Sequence, residues 1–578
     1  MANLRVSMPS SRYFFEKSPG VFISRANLIA QTPEEELEAD KILQLASGDG
    51  REYGVYYDPS NEANLSRGKI AEWQWVLVHL SCCISTLLAG YDASSLAVVQ
   101  GFIFDAFPNI QLLFVVAAVS SLGCCCTAPW LRHFMDMVDL RRFRVFAAFV
   151  FLAGSLVAGT ATRIEILIVG RVLTGTAIAG LQMSLVTYNT LLATPKELSR
   201  LHLASVLGYA IGLVLGASTI VLFTMWRWVF FLGSIMAAVV AVLAALSYPS
   251  VTVQPEDKIL RAVADIDWIG AMTHSLSFVL FDAAFLLSGS KWAWNSVEVI
   301  SIWVAILVLF VFSFLQHGYG FWIPGDRILP LGVLQNRIGL GSLFVVAATA
   351  GSLSVMLYGI ALFCAFVRGE EARQIAVHLL PALGCFGVTS ILARPTLQVV
   401  RRPAVLYLCG GICVSAGSGG LMWIKAHTSA GIVVGISCLL GSALGLMSGL
   451  SMPVLEANLP SHLRNGVSVC LVTVTHTFTT LPLALAGCIY LNRGYHNLLE
   501  ASGGMQIPNS EVHQALAGLR SPLLSHELSG IPISAIKVAS ASIMDVFAIG
   551  IAAGVAMMAA AFIDGFRPWP LHITDQEN

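Results

Sequence analysis

An all-α fold that crosses a membrane many times is what this sequence predicts, and three observations predict it. Of 578 residues, 56% are hydrophobic and only 12% charged, about half the charge of a soluble domain. The apolar residues gather in runs of low charge that recur from 75 to 563. Each run approaches or exceeds the roughly 20 residues a helix needs to cross a hydrocarbon layer, and no soluble interior could hide so much apolar surface.

In order, the expected spans are 75–98, 111–131, 145–161, 164–191, 202–223 and 227–247, then a pair at 268–288 and 297–316, then 339–365, 375–393, 404–424, 431–453, 466–490 and 540–563. The chain divides accordingly into a tail at 1–74, a first six-helix bundle at 75–248, a linker carrying two additional helices at 249–338, and a second six-helix bundle at 339–563. The second bundle includes an outer loop at 491–538, and a C-terminal tail occupies 564–578. About fourteen spans in groups of six, two and six imply pseudo-symmetric halves around a central cavity, a geometry that serves alternating access.

The first tail has charged and polar stretches rather than a basic start before a short apolar core, so no cleavable signal peptide is expected. Within it, Thr32-Pro33-Glu34-Glu35 reads as a helix start, with Thr32 as cap and Glu35 reaching back. Lysines and arginines gather in alternate connections, among them Arg132, Arg141, Arg142, Arg144, Lys196, Arg200, Arg394, Arg401 and Arg402. By the positive-inside bias these connections, and both termini, are cytoplasmic.

The net charge of −1 and the absence of a Lys/Arg-rich run give no reason to expect nucleic acid or a polybasic lipid anchor. The partners are a lipid bilayer and a small molecule held within it, and the protein is expected to be monomeric. Cys82, Cys83, Cys124, Cys125, Cys126, Cys364 and Cys470 stand in apolar runs, where cysteine packs as a small hydrophobe. No clustered metal set or nucleophile elbow is read on any span, so no catalytic residue, metal or cofactor is expected and the chain is not an enzyme.

Ionisable residues inside spans are costly and mark functional positions. Asp92, in Gly90-Tyr91-Asp92-Ala93-Ser94-Ser95, is the foremost proton-carrying carboxylate, with capping of an interfacial turn as the structural alternative. Arg171, in Gly170-Arg171-Val172-Leu173-Thr174-Gly175, needs an acidic or carbonyl partner, either for a structural ion pair or for proton handling. Asp282 near the middle of the seventh span and His476 near the middle of the thirteenth complete the set. A histidine beside Thr475 and Thr477 is equally readable as a hydrogen-bonded core residue. Gly208, Gly212 and Gly216 recur every fourth residue on one helix face, where helix backbones can approach closely.

With these residues on the page, the chain resembles the major facilitator superfamily, and within it the fourteen-helix drug:proton antiporters of fungal type. The stretch Arg132-His133-Phe134-Met135-Asp136-Met137-Val138-Asp139-Leu140-Arg141-Arg142 is similar to the family's cytoplasmic loop, Gly-x-x-x-Asp-x-x-Gly-Arg-Lys. Asp136, Arg141 and Arg142 match its acid and basic pair, which the resemblance makes a conformational gate, while Arg132 and Asp139 stand in place of both glycines. Arg171, Gly175 and Gly180 resemble the family's Arg-x-x-x-Gly pattern, associated with proton coupling, and Asp92 corresponds to its acid in the first span. Gly212-Leu213 stands where the antiporter motif has Gly-Pro. Trp226-Arg227-Trp228, Asp267-Trp268-x-Gly270 and Trp292-x-Trp294 are similar to features of the fourteen-helix branch.

The resemblance implies proton-coupled efflux of a small organic compound, a secondary metabolite, toxin or drug of the multidrug-resistance kind, with the proton gradient as the energy source. It places the chain in the plasma membrane first and the vacuolar membrane second. Uptake or facilitated diffusion on the same fold, and a non-transporting membrane sensor, are the alternatives.

Overall fold

The computed structural model of the chain describes residues 71–568 apart from 194, 224, 251–266, 320–330, 459–460, 502–514, 518 and 520–530. The tail helix expected at Thr32, most of the polar linker after Pro249, the greater part of the outer loop and the side chain of Asp136 lie outside the described residues. Residues 1–69 and 190–194 form a separate unit, of which only residues 190–193 are described, and the larger unit comprises 70–189 and 195–578.

Among the described residues that larger unit is helical apart from its connections. In chain order its helices are α1 (Glu72–Ala106), α2 (Ile110–Met137), α3 (Leu140–Gly159), α4 (Ile164–Leu192), α5 (Pro195–Leu222), α6 (Trp228–Ser247), α7 (Trp268–Leu287), α8 (Val297–Tyr319), α9 (Arg337–Leu362, prolonged by a π-turn at Phe363–Val367), α10 (Ala372–Val400), α11 (Pro403–Met422), α12 (Ala430–Asn458), α13 (Ser461–Ala501) and α14 (Ile531–Asp545 with Ala548–Asp564). Among the described residues thirteen helices are long and apolar enough to cross a membrane, and the apolar stretch of α8, Val297–Ser313, is shorter. The helices outrun the expected spans because apolar runs mark only the part that lipid demands, while hydrogen bonding continues past it. α13 carries its helix to Ala501.

The packing repeats at an offset of eight helices. α1 packs on α5 and α6, and α9 on α13 and α14; α3 packs on α6, and α11 on α14. The crossings between the two sets repeat too, α2 on α13 and α5 on α10. α9 is the most enclosed helix, with 94% of its apolar window buried against 39% for α7. α7 lies against α2 and α13, and α8 packs on α7.

Without a hydrophobic drive between helices in lipid, close association rests on small residues. A Cβ on Gly208, Gly212 or Gly216 of α5 would strike the carbonyls of Cys83, Leu87 and Tyr91, which climb α1 in the same steps of four. α12 repeats the device on α10, with Gly441, Gly445 and Gly449 against the carbonyls of Ala382, Phe386 and Ser390. Gly175 of α4 rides on the Ser120 carbonyl of α2, and Gly180 faces Ala147 of α3.

Helix ends account for two of the tryptophan motifs. Arg227 Nη1 donates to the carbonyls of Gly159 and Ala161 at 2.9 and 2.7 Å, satisfying acceptors that the end of α3 leaves open, while its guanidinium lies over the Trp226 ring. Asp267 caps α7 by accepting from Gly270 N at 2.8 Å. A Cβ on Gly270 would collide with that same carboxylate, so glycine at the third helical position follows from the cap.

Candidate functional site

Asp92 stands within α1 and Arg171 in the second turn of α4. The two helices bring Arg171 Nη1 onto Asp92 Oδ1 as a hydrogen-bonded ion pair. Arg171 is 2% exposed and the Asp92 side chain 13%, so the pair is largely withdrawn from its surroundings. Asp92 is therefore a mid-helix ion-pair partner rather than a turn cap. Gly90, one residue before Tyr91, seats α1 directly on the backbone of α5 at Tyr209 and Leu213, which sets the depth of α1 in the bundle.

Tyr358 of α9 lies within electrostatic reach of both members of the pair. Its carbonyl accepts from Gln100 Nε2 of α1 at 3.0 Å, and nearby Phe104 of α1 meets Phe366 at 5.6 Å between ring centres. The ion pair of the first helix set thus borders the contact between α1 and α9. A carboxylate facing a permanent cation is held by charge as well as by hydrogen bonding, and removing one partner of a buried pair outright costs about 3–5 kcal/mol.

The other two intramembrane candidates sit at different seams. His476 Nε2 of α13 donates to Gln182 Oε1 of α4 at 3.1 Å, a bond between the two helix sets. Asp282 faces inward from α7 and accepts a hydrogen bond from Thr480 of α13. Thr477, one turn before Thr480, pairs with Cys125 of α2 at 2.8 Å. Asp282 bonds to α13 and His476 bonds from α13 to α4, and neither is brought against the Asp92–Arg171 pair.

At the start of α3, Asp139 Oδ1 accepts from Arg141 N at 3.0 Å as the N-cap, and Oδ2 accepts from the Ser250 hydroxyl at 2.8 Å. Arg142 Nε approaches the same carboxylate at 3.7 Å with its side chain 79% exposed. The residue that occupies the loop motif's second glycine position is thus the helix cap. Asp is a favoured N-cap residue, which is the signal in the sequence for this helix start.

Arg144 corrects an expectation. It was assigned to a cytoplasmic connection, yet it lies inside α3 and is completely buried. Nη1 donates to Leu181 O and Ser184 Oγ at 2.8 and 3.1 Å, and Nη2 to Ser85 Oγ at 2.5 Å. Its guanidinium lies 5.2 Å from the centre of the Tyr248 ring. The cation ties α1, α3, α4 and α6 together through neutral acceptors, as a planar five-donor group does readily. The usable signal was its position five residues past the Asp139 cap, inside the helix.

The sequence profile of the Major Facilitator Superfamily matches residues 82–477. The efflux pump patC of Aspergillus clavatus is 27% identical over 560 residues, covering 94% of this chain and 99% of its own length. The efflux pump DEP3 of Fusarium langsethiae is 24% identical over 515 residues, with 87% and 90% covered. Among solved structures, a bacterial homologue of the human lysosomal transporter Spinster, inward-facing and unoccupied, aligns with a TM-score of 0.53 at 13% identity over 87% of this chain and 100% of that one. The structural likeness concerns the fold.

Proposed function

The chain belongs to the major facilitator superfamily of membrane transporters, and from that premise we propose that it is a proton-coupled efflux pump for a small organic compound of the secondary-metabolite or toxin class. The observation that carries the reading is the buried Asp92–Arg171 pair beside the α1–α9 contact, together with relatives named as efflux pumps along nearly the whole chain. Asp92 takes and releases the transported proton. Arg171 holds it as a carboxylate in one state and is released in the other, and the two helix sets rock about the cargo between them. The arginine-rich connections and both termini face the cytoplasm, and the plasma membrane is the site of action.

Everted vesicles energised by an imposed pH gradient, with amphipathic fluorescent dyes as reporter cargo, test this. Asp92→Asn should lower gradient-driven flux at least a hundredfold while leaving dye binding measurable, and undiminished flux in that variant overturns the role given to Asp92. Leu213 in the place of the antiporter motif's proline favours a second reading, facilitated movement down the cargo's own gradient. In that case the same vesicles would show flux that ignores the pH gradient.

A further inference from the structure

At the end of α9 the helix widens into the π-turn Phe363–Val367, a local form often found at functional sites. Arg368 N bonds back to Phe363 O at 3.3 Å and Glu370 N to Cys364 O at 3.0 Å, so residues six apart in sequence are folded onto each other. α10 starts directly after its N-cap Glu371 and presents His378 two turns later. His378 Nδ1 stands 2.9 Å from Glu370 Oε2 and 3.7 Å from Cys364 Sγ. The three ligand-capable atoms all lie within 4.8 Å of one another.

We propose that Cys364, Glu370 and His378 form a zinc(II) site joining the end of α9 to the start of α10. Zinc bonds of about 2.0–2.3 Å in a tetrahedron place ligand atoms roughly 3.3–3.7 Å apart, so shifts on the order of 1 Å or less convert the observed cluster into a coordination shell. One thiolate, one imidazole and one carboxylate suit zinc and disfavour magnesium or calcium, which take oxygen donors. The groups that would orient the ligands are already in place. Arg368 Nη1 lies 3.5 Å from the other Glu370 oxygen and donates through Nη2 to the Thr428 carbonyl in the turn between α11 and α12, fixing the carboxylate's orientation. Binding releases the Cys364 thiol proton to water, the neutral His378 ring keeps its one proton on Nε2 so that Nδ1 ligates, and three protein ligands keep a fourth position for water. Cys364 stands in the apolar run of α9, while Glu370 and His378 belong to the following turn and helix, so their meeting has no signature in sequence spacing.

The test uses the full-length protein in lipid nanodiscs with cobalt(II) as a spectroscopic probe. One equivalent should produce a thiolate-to-cobalt charge-transfer band that stoichiometric zinc displaces. Cys364→Ser should remove the band, and Glu370→Gln or His378→Ala should weaken zinc binding at least tenfold. A wild-type measurement stands beside the variants: zinc should raise the melting temperature of the wild type in nanodiscs and leave that of Cys364→Ser unchanged. No charge-transfer band, a band that survives Cys364→Ser, or an equal thermal response of wild type and Cys364→Ser to zinc overturns the proposal.

Discussion

The first six helices and the last six repeat each other's packing but keep their charge in different places. α1 to α6 bury Asp92 with Arg171 in the interior and hold Arg144 on neutral acceptors, completely enclosed. In α9 to α14 the buried polar groups within the helices are mostly hydroxyls such as Ser342, Thr349, Ser390 and Ser437, and Asp564, buried among the described residues, stands at the last residue of α14. The Arg368–Glu370–His378 group of that half lies in a turn and the start of a helix. Both halves carry a ladder of three glycines against a carbonyl ridge. The close helix contacts are therefore common to both, while the intramembrane Asp92–Arg171 ion pair and the enclosed Arg144 belong to the first half, and the second is built around the enclosed α9.

The contrast breaks most readily at Arg171. Arg171→Ala leaves Asp92 buried without its partner and should cost about 3–5 kcal/mol. Thermal denaturation in detergent should show the loss, and Asp92→Asn combined with it should restore part of the stability. A loss no larger than that of an exposed substitution would mean that the first half does not depend on its charge. The shared glycine ladders come next. Gly212→Leu and Gly445→Leu each force a side chain onto a helix carbonyl and should each cost about 1–3 kcal/mol, whereas Gly435→Leu meets nothing within 4 Å and should be neutral or slightly stabilising. Unequal losses at 212 and 445 would show that one ladder bears more of the packing. The smallest effect is expected at the rim, where Arg142→Ala removes an exposed ion pair worth about 0–1 kcal/mol and should leave the melting temperature within a few degrees.

Much of the fold was legible because lipid imposes a length. The six, two and six runs correspond to helices α1–α6, α7–α8 and α9–α14, and Gly208, Gly212 and Gly216 declared a contact face by spacing alone. The same spacing at Gly441, Gly445 and Gly449 was equally visible and went unread among the many glycines of that run. Site partners were less accessible. Asp92 and Arg171 are 79 residues apart, His476 and Gln182 are 294 apart, and no periodicity links such positions. Arg144 was misread for a specific reason: a cation near a helix start looks like a loop cation unless its neighbours supply enough acceptors to bury it, and those acceptors come from α1 and α4.

The sequence by itself therefore determined that this chain lives in a bilayer, where its apolar runs fall, and which intramembrane residues are too costly to be incidental. Hydrophobic length and the expense of charge in lipid act on each segment independently, so they can be read locally. The tertiary structure alone decided which charges are paired, which arginine is enclosed, and that a thiol, a carboxylate and an imidazole meet at the end of α9. Those outcomes depend on short-range contacts between helices distant in sequence, or on a single widened turn, and segment composition does not encode them.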